Sequence, residues 1–398
     1  MEQYCARNAA GLRRRGWTVH TLAATADPGA PMYRLVEEPG VTRIVNNAPY
    51  AALRTGAHDS AVDAAVGALI RRFSPDLIHI HHVHALSTTL PLPVPAVWTL
   101  HDAWAWCAAG GLLLRDGKPC AGPDAGCAAC ASGWARDTPR LATALRVAGR
   151  VGHLVPPARL HQAWKRLPAA FRAGALAGAA PPLGDGDITA RTAAMRALAA
   201  RCAALVTASR WLGAEATRQG LGTPTFIEQG HDPIPSTATD DAPFVFLGTL
   251  APHKGPHLVQ AAWQASGLAR PLQLYGPPGP DPAYAARLPH RGALAPADVA
   301  RVLAGARALV LGSLWPENAP LVILEARAAG CPVIAPDIGG IPEFVQPGVD
   351  GALYPPGDQD ALVACLRALD ARRPTPRPPP TMARHLDALE ALYARVGG

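Results

Sequence analysis

The segment from residue 308 to 358 constrains the fold most strongly, because a short helical pattern separates two apolar runs there. The first run, 308–314, ends in a polar stretch around Glu317, and the second run spans 332–338. A proline near the start of the intervening segment and a glycine at its end suit the two ends of a helix. Strand, helix and strand in this order predict a parallel βαβ unit.

The same alternation of apolar runs and helical patterns occupies most of the chain. The other predicted strands are 19–24, 42–45, 76–82, 94–101, 204–209, 225–229, 244–250 and 272–276, and the clearest further helices are 2–16 and 60–73. The alternation predicts an α/β protein with parallel sheets. Residues 131–200, rich in Ala, Pro and Gly, interrupt it and predict loops or mobile helices, with a loop at 180–187.

The two series of strands predict two α/β domains. We expect the first to span 1–231 and the second to span 232–373. The proline-rich residues 374–380 cannot form a helix interior and predict a linker. A terminal helix within 381–398 is expected to pack back on the first domain.

Composition excludes several classes of protein. The chain has 398 residues, of which 49% are hydrophobic and 17% charged, and a net charge of +7. No basic block is long enough for a nucleic-acid arm. A basic face would favour phosphorylated substrates or peripheral contact with an anionic membrane, although a general Ala, Arg, Pro and Gly bias explains the charge equally well. The polar start is not a secretory signal, no apolar run would span a membrane, and eight cysteines suit a reducing, cytoplasmic setting.

Two carboxylates, Glu317 and Glu325, lie eight residues apart across the turn into the helix of the 308–358 segment. The free amides at that helix start favour an anion. Carboxylates bind phosphate poorly but accept hydrogen bonds from hydroxyl groups well. The combination predicts a ligand with both phosphate and hydroxyl groups. The alternative is that Glu317 caps the helix and Glu325 faces solvent.

Several motifs along the chain resemble the retaining glycosyltransferases of the GT-B fold that carry an E-x7-E motif (glycosyltransferase family 4-like, "glycosyl transferases group 1"). The resemblance rests on PENAPLVILEA at 316–326, AGCPVIA at 329–335, GGIPE at 339–343, GTL at 248–250 with KG at 254–255, GHD at 230–232, ASRW at 208–211 and LHD at 100–102. It covers nearly the whole chain. It implies two Rossmann-like domains that face each other across a cleft, with 1–231 on the acceptor side and 232–373 binding the nucleotide sugar.

This resemblance implies roles for the two carboxylates. Glu325 would accept hydrogen bonds from the ribose hydroxyls of a nucleotide. Glu317 would hold hydroxyls of the transferred sugar, helped by backbone amides near Asn318, Ala319 and Leu321. The family also implies retention of anomeric configuration through same-face attack, in which the leaving phosphate helps to deprotonate the acceptor.

The resemblance also implies a diphosphate site on the loop that contains Gly248 and Thr249. Lys254 would bind the diphosphate and stabilise the leaving group, and His101 would lie across the cleft near the sugar. Thr249 stands where the family usually has an arginine, so one of two cations is lost, and His253 is a candidate to compensate. The chain also starts just after the position of the family's first strand and glycine-rich loop, which we therefore expect to be missing.

The implied activity is transfer of a sugar from a nucleotide-sugar donor to an acceptor hydroxyl, with no catalytic cofactor. The donor would be a UDP-, GDP- or ADP-sugar, and the acceptor a glycan, a lipid-linked sugar or a small metabolite; no nucleic acid is expected as a partner. Two alternatives remain open at this stage. One is a catalytically impaired, sugar-nucleotide-binding relic, and the other is a nucleotide-sugar epimerase of the same fold.

Four cysteines, Cys107, Cys120, Cys127 and Cys130, lie within 24 residues. Four thiolates with one C-x2-C pair predict a structural zinc site, although their spacing is not that of a standard zinc ribbon. The alternative is four separate thiols. The other cysteines, Cys5 among them, are isolated and predict packing positions.

A histidine patch ends the predicted strand 76–82, where ligands bind in open parallel sheets. Strand alternation puts His79 and His81 on one face and His82 on the other. We expect this patch, with His84, to form a polar edge of the cleft, with one histidine near the acceptor; a catalytic metal is the alternative.

Overall fold

The computed structural model describes residues 1–27, 30–46, 58–137, 183–279 and 281–397. Its fold is mixed α/β with two groups of largely parallel strands, as the alternation predicts. We call the elements up to residue 227, together with the last helix, the N-terminal lobe. The elements from residue 244 to 371 form the C-terminal lobe.

The N-terminal lobe contains nine strands and five helices before the last helix, counted over the described residues. The strands are β1 (Thr21–Thr25), β2 (Leu35–Glu38), β3 (Val41–Val45), β4 (Ile78–Ile80), β5 (Ala96–Leu100), β6 (Leu114–Arg115), β7 (Lys118–Pro119), β8 (Ala204–Thr207) and β9 (Thr225–Phe226). The helices are α1 (Glu2–Arg14), α2 (Ser60–Phe73), α3 (Cys127–Asp137), α4 (Asp185–Arg201) and α5 (Arg210–Arg218).

Two main sheets and a small hairpin organise these strands. The order β4-β5-β8-β9 is entirely parallel, whereas β1-β3-β2 has one parallel and one antiparallel pair, and β6 pairs with β7. All five residues of β5 are buried, since a parallel strand between two covered faces has no polar side. The sheet therefore presents the carboxyl ends of β4 and β5 side by side.

Of the loops or helices predicted for 131–200, the structure shows helices in part of that region. Regular helices occupy Cys127–Asp137 and Asp185–Arg201, and residues 138–182 lie outside the described ranges. The expected loop at 180–187 gives way to a helix at Asp185, because the Asp187 carboxylate accepts a hydrogen bond from the Gly184 amide at 2.8 Å and caps its start.

The C-terminal lobe has one five-stranded parallel sheet covered by helices on both faces. Its strands are β10 (Phe244–Leu247), β11 (Leu272–Tyr275), β12 (Ala308–Val310), β13 (Val333–Pro336) and β14 (Gly351–Tyr354), in the order β11-β10-β12-β13-β14. Its helices are α6 (Pro256–Ser266), α7 (Pro282–Ala285), α8 (Pro296–Ala304), α9 (Leu321–Ala328) and α10 (Gln359–Ala371). The central strands β12 and β13 are completely buried, with separate apolar clusters on their two faces.

Residues 374–380 have no regular secondary structure and connect the C-terminal lobe to the last helix, α11 (Met382–Gly397). Leu386, Leu389 and Leu392 of α11 share an apolar cluster with Leu12 of α1 and Val97 of β5. The end of the chain therefore packs on the N-terminal lobe. Within the described ranges, no helix is both long and apolar enough to cross a membrane.

Candidate active site

The candidate site begins where β12 ends and the loop around Lys254 approaches it. Gly255 has a φ of +65°, and a Cβ atom there would lie 1.9 Å from the Gly312 carbonyl oxygen. Only two glycines permit this backbone contact, because a side chain on either residue would clash. The contact brings Lys254 against the polar segment that follows β12.

Glu317 is the centre of a buried polar cluster. The Lys254 Nζ donates to its Oε2 at 2.9 Å, and the Ser313 hydroxyl donates to its Oε1. The Lys254 ammonium also lies 4.9 Å from the centroid of the Trp315 ring. Glu317 is only 8% exposed, so these partners compensate the cost of burying its charge. An ammonium and a carboxylate are thus held together at the C-terminal edge of the sheet.

The helix-capping alternative for Glu317 is wrong. Helix α9 starts after Pro320 without a side-chain cap, while Glu317 faces Lys254. In the described residues, the backbone amides of Asn318, Ala319 and Leu321 donate to no backbone carbonyl. The start of α9 therefore offers amide donors beside the carboxylate.

Glu325 does not face solvent either. It is 8% exposed and accepts a hydrogen bond from the Arg7 Nη2 at 2.5 Å. Arg7 belongs to α1 of the other lobe, 318 residues away in the sequence. Our sequence reasoning missed Arg7, because no local pattern marks a contact at that separation.

Two further polar contacts join the lobes beside this cluster. The Asn318 Nδ2 donates to the His101 carbonyl at 3.0 Å, and its Oδ1 accepts from the Ser209 hydroxyl at 2.6 Å. The Glu343 carboxylate accepts from the Arg210 and Trp211 amides at 2.8 and 2.7 Å, at the start of α5. Asn318 thus links the lobes with its side chain, a role the sequence did not indicate.

His101 lies directly after β5 and contacts a second buried histidine. His81 Nδ1 and His101 Nε2 are 3.1 Å apart, and His79 stacks on His81 with ring centroids 4.2 Å apart. The predicted faces of the strand are correct, since His82 packs on Trp104 instead. Burial lowers the pKa of His101 well below its ordinary value and that of His81 to about 4. Both rings are therefore neutral at pH 7.

The structure also describes the position that lacks the family's arginine. Thr249 is partly exposed on the loop after β10, and the Gly248 amide donates to the Tyr275 carbonyl at 3.2 Å. Burial and the adjacent Lys254 lower the pKa of His253 to about 4. His253 is neutral at pH 7, so it does not supply the missing charge.

The cysteine cluster is less compact than a zinc site requires. No three of the sulfur atoms of Cys107, Cys120, Cys127 and Cys130 lie within 4.8 Å of one another. The Arg115 guanidinium lies 3.7 Å from the Cys127 sulfur, and a cation there opposes a second cation. Zinc binding at these cysteines stays a prediction that this arrangement does not favour.

Family comparisons match both lobes. Residues 242–371 match the family described as "Glycosyl transferases group 1", and residues 1–119 match "Glycosyltransferase Family 4". Amylovoran biosynthesis glycosyltransferase AmsK of Erwinia amylovora is 43% identical over 53 residues, 13% of each chain. A D-inositol 3-phosphate glycosyltransferase of Mycobacterium marinum is 31% identical over 137 residues, which span 31% of this chain and 29% of that protein. The chain thus matches less than a third of each curated relative.

Solved structures share the fold over nearly the whole chain. Sucrose-phosphate synthase from Thermosynechococcus elongatus has a TM-score of 0.60 and 16% identity, covering 99% of this chain and 90% of its own. Anabaena HepE, in complex with UDP and glucose, has a TM-score of 0.54 and 15% identity, covering 94% and 100%. The fold is GT-B, as predicted, and together with the family matches it supports a glycosyltransferase that transfers sugars.

Proposed function

We propose that the protein transfers a sugar from a nucleotide-sugar donor to an acceptor hydroxyl with retention of anomeric configuration. The observation that carries this proposal is the pair of half-buried Lys254 and buried Glu317 beside the start of α9, with Glu325 on that helix. This cluster combines a cation for phosphate with carboxylates for hydroxyl groups. It lies within the segment that matches the group 1 glycosyltransferases.

Each part of the donor has a partner in this cluster. The diphosphate binds the Lys254 ammonium and the free amides at the start of α9. The sugar hydroxyls donate hydrogen bonds to Glu317. The ribose hydroxyls donate hydrogen bonds to Glu325, which must first release the hydrogen bond from Arg7. Lys254 then stabilises the charge that develops on the leaving phosphate. We expect His101 on the acceptor side of this cluster. Its carbonyl oxygen accepts a hydrogen bond from the side chain of Asn318, the neighbour of Glu317.

Retention follows, in this proposal, from attack on the face that the diphosphate leaves. The leaving phosphate oxygen takes the acceptor proton, so no protein nucleophile is required. The neutral His101 imidazole offers a hydrogen bond to the sugar rather than a charge. Analysis of the product by NMR, which reports the anomeric configuration directly, tests this point.

The decisive experiment measures donor binding first and sugar transfer second. Thermal shifts with uridine, guanosine and adenosine diphosphates and their sugars identify the donor, and acceptor glycosylation is then measured with it. Lys254→Met should lower the transfer rate by about 100-fold or more, because a preorganised charge at the leaving group is lost. Lys118→Met, on the exposed strand β7, is the matched control. An unchanged rate in Lys254→Met would refute the proposed role.

A binding-only protein is the second candidate, and Thr249 favours it because the diphosphate site has one cation fewer than the family usually provides. Tight binding of a nucleotide sugar without transfer to any acceptor, and without hydrolysis, would identify such a protein. A nucleotide-sugar epimerase would instead convert the donor in the absence of acceptor.

We also infer a reducing, cytoplasmic setting, in which nucleotide sugars reach the cleft directly. All eight cysteines are unpaired in the structure, which suits such a compartment. The net charge of +7 suits peripheral contact with an anionic membrane that carries a lipid-linked acceptor. Flotation with anionic and neutral vesicles tests the membrane contact.

A further inference from the structure

Three potential metal ligands converge at the edge of the N-terminal sheet. Ligand atoms of Cys5, His81 and His101 all lie within 4.8 Å of one another, and they form the single such group of His, Cys, Asp or Glu side chains in the described ranges. The sequence did not predict this group, because Cys5 looked like an isolated packing residue.

The fold explains the convergence. Strands β4 and β5 are parallel neighbours, so the residues that follow them, His81 and His101, emerge at the same edge of the sheet. Tyr4 of α1 is 5% exposed and contacts both imidazoles edge-to-face, with ring centroids 5.7 and 5.2 Å away. The next residue in α1 is Cys5, which Tyr4 therefore holds against the histidine pair.

The spacing suits tetrahedral coordination. Two nitrogen ligands at the usual zinc distance of about 2.0–2.1 Å lie about 3.3 Å apart in a tetrahedral site. The His81 Nδ1 and His101 Nε2 are already 3.1 Å apart. Thiolate and imidazole ligands together select zinc over magnesium or calcium. A small cavity lined by both histidines, Asp102 and Trp104 adjoins the pair.

The neighbouring histidine is not a fourth ligand. The His79 Nδ1 is 2.6 Å from the Tyr393 hydroxyl, and its Nε2 is 2.7 Å from the Thr99 hydroxyl. Both nitrogens of His79 are therefore engaged. Its ring stacks on His81 and restricts the orientation of that ligand, which is the role of an outer residue in a metal site.

We propose that Cys5, His81 and His101 bind one Zn²⁺ ion, with water in the fourth position. Binding replaces the hydrogen bond between the imidazoles with two metal–nitrogen bonds. The imidazole that donated this hydrogen bond carries its proton on its other ring nitrogen instead, and the Cys5 thiol releases its proton to solvent. The ion would tie α1 to the ends of β4 and β5. It would also hold the His101 side chain, so zinc should inhibit sugar transfer; this consequence alone rests on the proposed function.

The test uses the full chain in a background in which Cys120, Cys127 and Cys130 are changed to Ser, which removes the other thiol cluster. Zn²⁺ is titrated against a chromophoric chelator, and Co²⁺ replaces zinc for absorption spectroscopy. We expect one bound equivalent and a thiolate-to-cobalt charge-transfer band. Cys5→Ser should abolish the band and weaken zinc binding by more than about 10-fold.

Two further variants distinguish the loss of a zinc ligand from a failure to fold. His81→Gln should weaken zinc binding to a similar degree, while Cys202→Ser, a thiol on another element, should leave affinity and band unchanged. Metal-free melting temperatures and circular dichroism identify any variant that fails to fold, and the remaining ligand variant then decides. A stoichiometry near zero, or a charge-transfer band that persists in Cys5→Ser, would overturn the proposal. Neither readout depends on transferase activity.

Discussion

Glu317 receives hydrogen bonds from a lysine that precedes it by 63 residues and from a serine that precedes it by four. These two donors hold its carboxylate in one orientation before any ligand arrives. In the proposed function, the Lys254 ammonium exchanges Glu317 for phosphate when a donor binds, and the Glu317 carboxylate then accepts a hydrogen bond from a sugar hydroxyl.

Arg7 should compete with the ribose for Glu325. Their ion pair is 11% exposed on the Glu325 side and 32% on the Arg7 side, so its release costs up to about 1 kcal/mol. Arg7→Gln should therefore tighten binding of the cognate nucleoside by up to about 5-fold, measured by calorimetry.

The nucleoside, which has no phosphate, isolates this effect from the charge that Arg7 adds near a diphosphate. Arg14→Gln makes the same change on the same helix and should leave the affinity unchanged. Weaker binding of the nucleoside to Arg7→Gln would show that Arg7 assists the ribose rather than competing with it.

Replacing Thr249 with arginine should restore a second cation to the diphosphate site. A hydrogen bond to a charged group contributes about 1.5–3 kcal/mol, so Thr249→Arg should tighten nucleoside diphosphate binding about 10-fold or more. Affinity for the nucleoside should not change. Thr189→Arg adds the same charge on the exposed face of α4 and serves as control. An equal gain in diphosphate affinity in both variants would show that the effect comes from net charge alone.

At the scale of elements, backbone contacts between loops position the site more than side-chain packing does. A Cβ atom at Gly339 would lie 2.5 Å from the Glu317 carbonyl oxygen, and one at Gly340 would lie 2.0 Å from that of Asn318. The loop after β13 thus packs directly against the backbone of the loop after β12. The Gly340 amide adds a hydrogen bond to the Glu317 carbonyl at 2.7 Å.

Gly340→Ala should damage both stability and donor binding. The new methyl group meets backbone rather than a flexible side chain, so the two loops must separate, at about 1–3 kcal/mol of unfolding free energy. Urea denaturation measures the loss, and calorimetry should show weaker donor binding because Glu317 moves. Gly186→Ala, in α4 with no atom within 4 Å of the new Cβ, should instead stabilise by about 0.5–1 kcal/mol. Unchanged stability in Gly340→Ala would contradict this account.

The sequence predicted four of the five strands of the C-terminal sheet, because their apolar runs are short, continuous and separated by turn residues. It missed β14, Gly351–Tyr354. It also indicated Lys254, Glu317 and Glu325, which belong to local patterns. It did not indicate Arg7 or the Cys5 group. Those contacts depend on how α1 lies against the sheet and the other lobe, and no periodicity within one segment records that arrangement.

At the scale of the whole molecule, the proline-rich linker is fixed rather than loose. The Asp350 carboxylate, which is fully buried, accepts hydrogen bonds from the Arg377 amide at 2.9 Å and from its guanidinium at 2.6 Å. The Arg327 Nε donates to the Arg377 carbonyl at 3.0 Å. The linker is therefore anchored to the C-terminal lobe up to about Arg377.

The Asp350 contact should make stability depend on acid. Burial raises the pKa of Asp350, but hydrogen bonds from Arg377 and Gln346 outweigh it and leave the pKa below its ordinary value of 3.8. A depressed pKa contributes stability above pH 3.8, and this contribution disappears as the pH falls through the folded-state value.

Asp350→Asn should accordingly lower the unfolding free energy by about 1–2 kcal/mol at pH 7, through loss of the charged hydrogen bonds. The difference from the natural protein should shrink as the pH falls below 3.8, which urea denaturation at several pH values measures. Asp240→Asn, at an exposed position, is the control. A difference that stays constant down to pH 3 would contradict the assignment.

The chain passes between the lobes twice, and the two passages run side by side. The His231 amide donates to the Pro380 carbonyl at 2.8 Å, and the Met382 amide donates to the Asp232 carboxylate at 3.1 Å. A Cβ atom at Gly230 would lie 2.4 Å from the Thr381 carbonyl oxygen. Two adjacent tethers suppress twisting and sliding but permit bending about the line that crosses both. Any relative motion of the two lobes is therefore restricted to rotation about that one line.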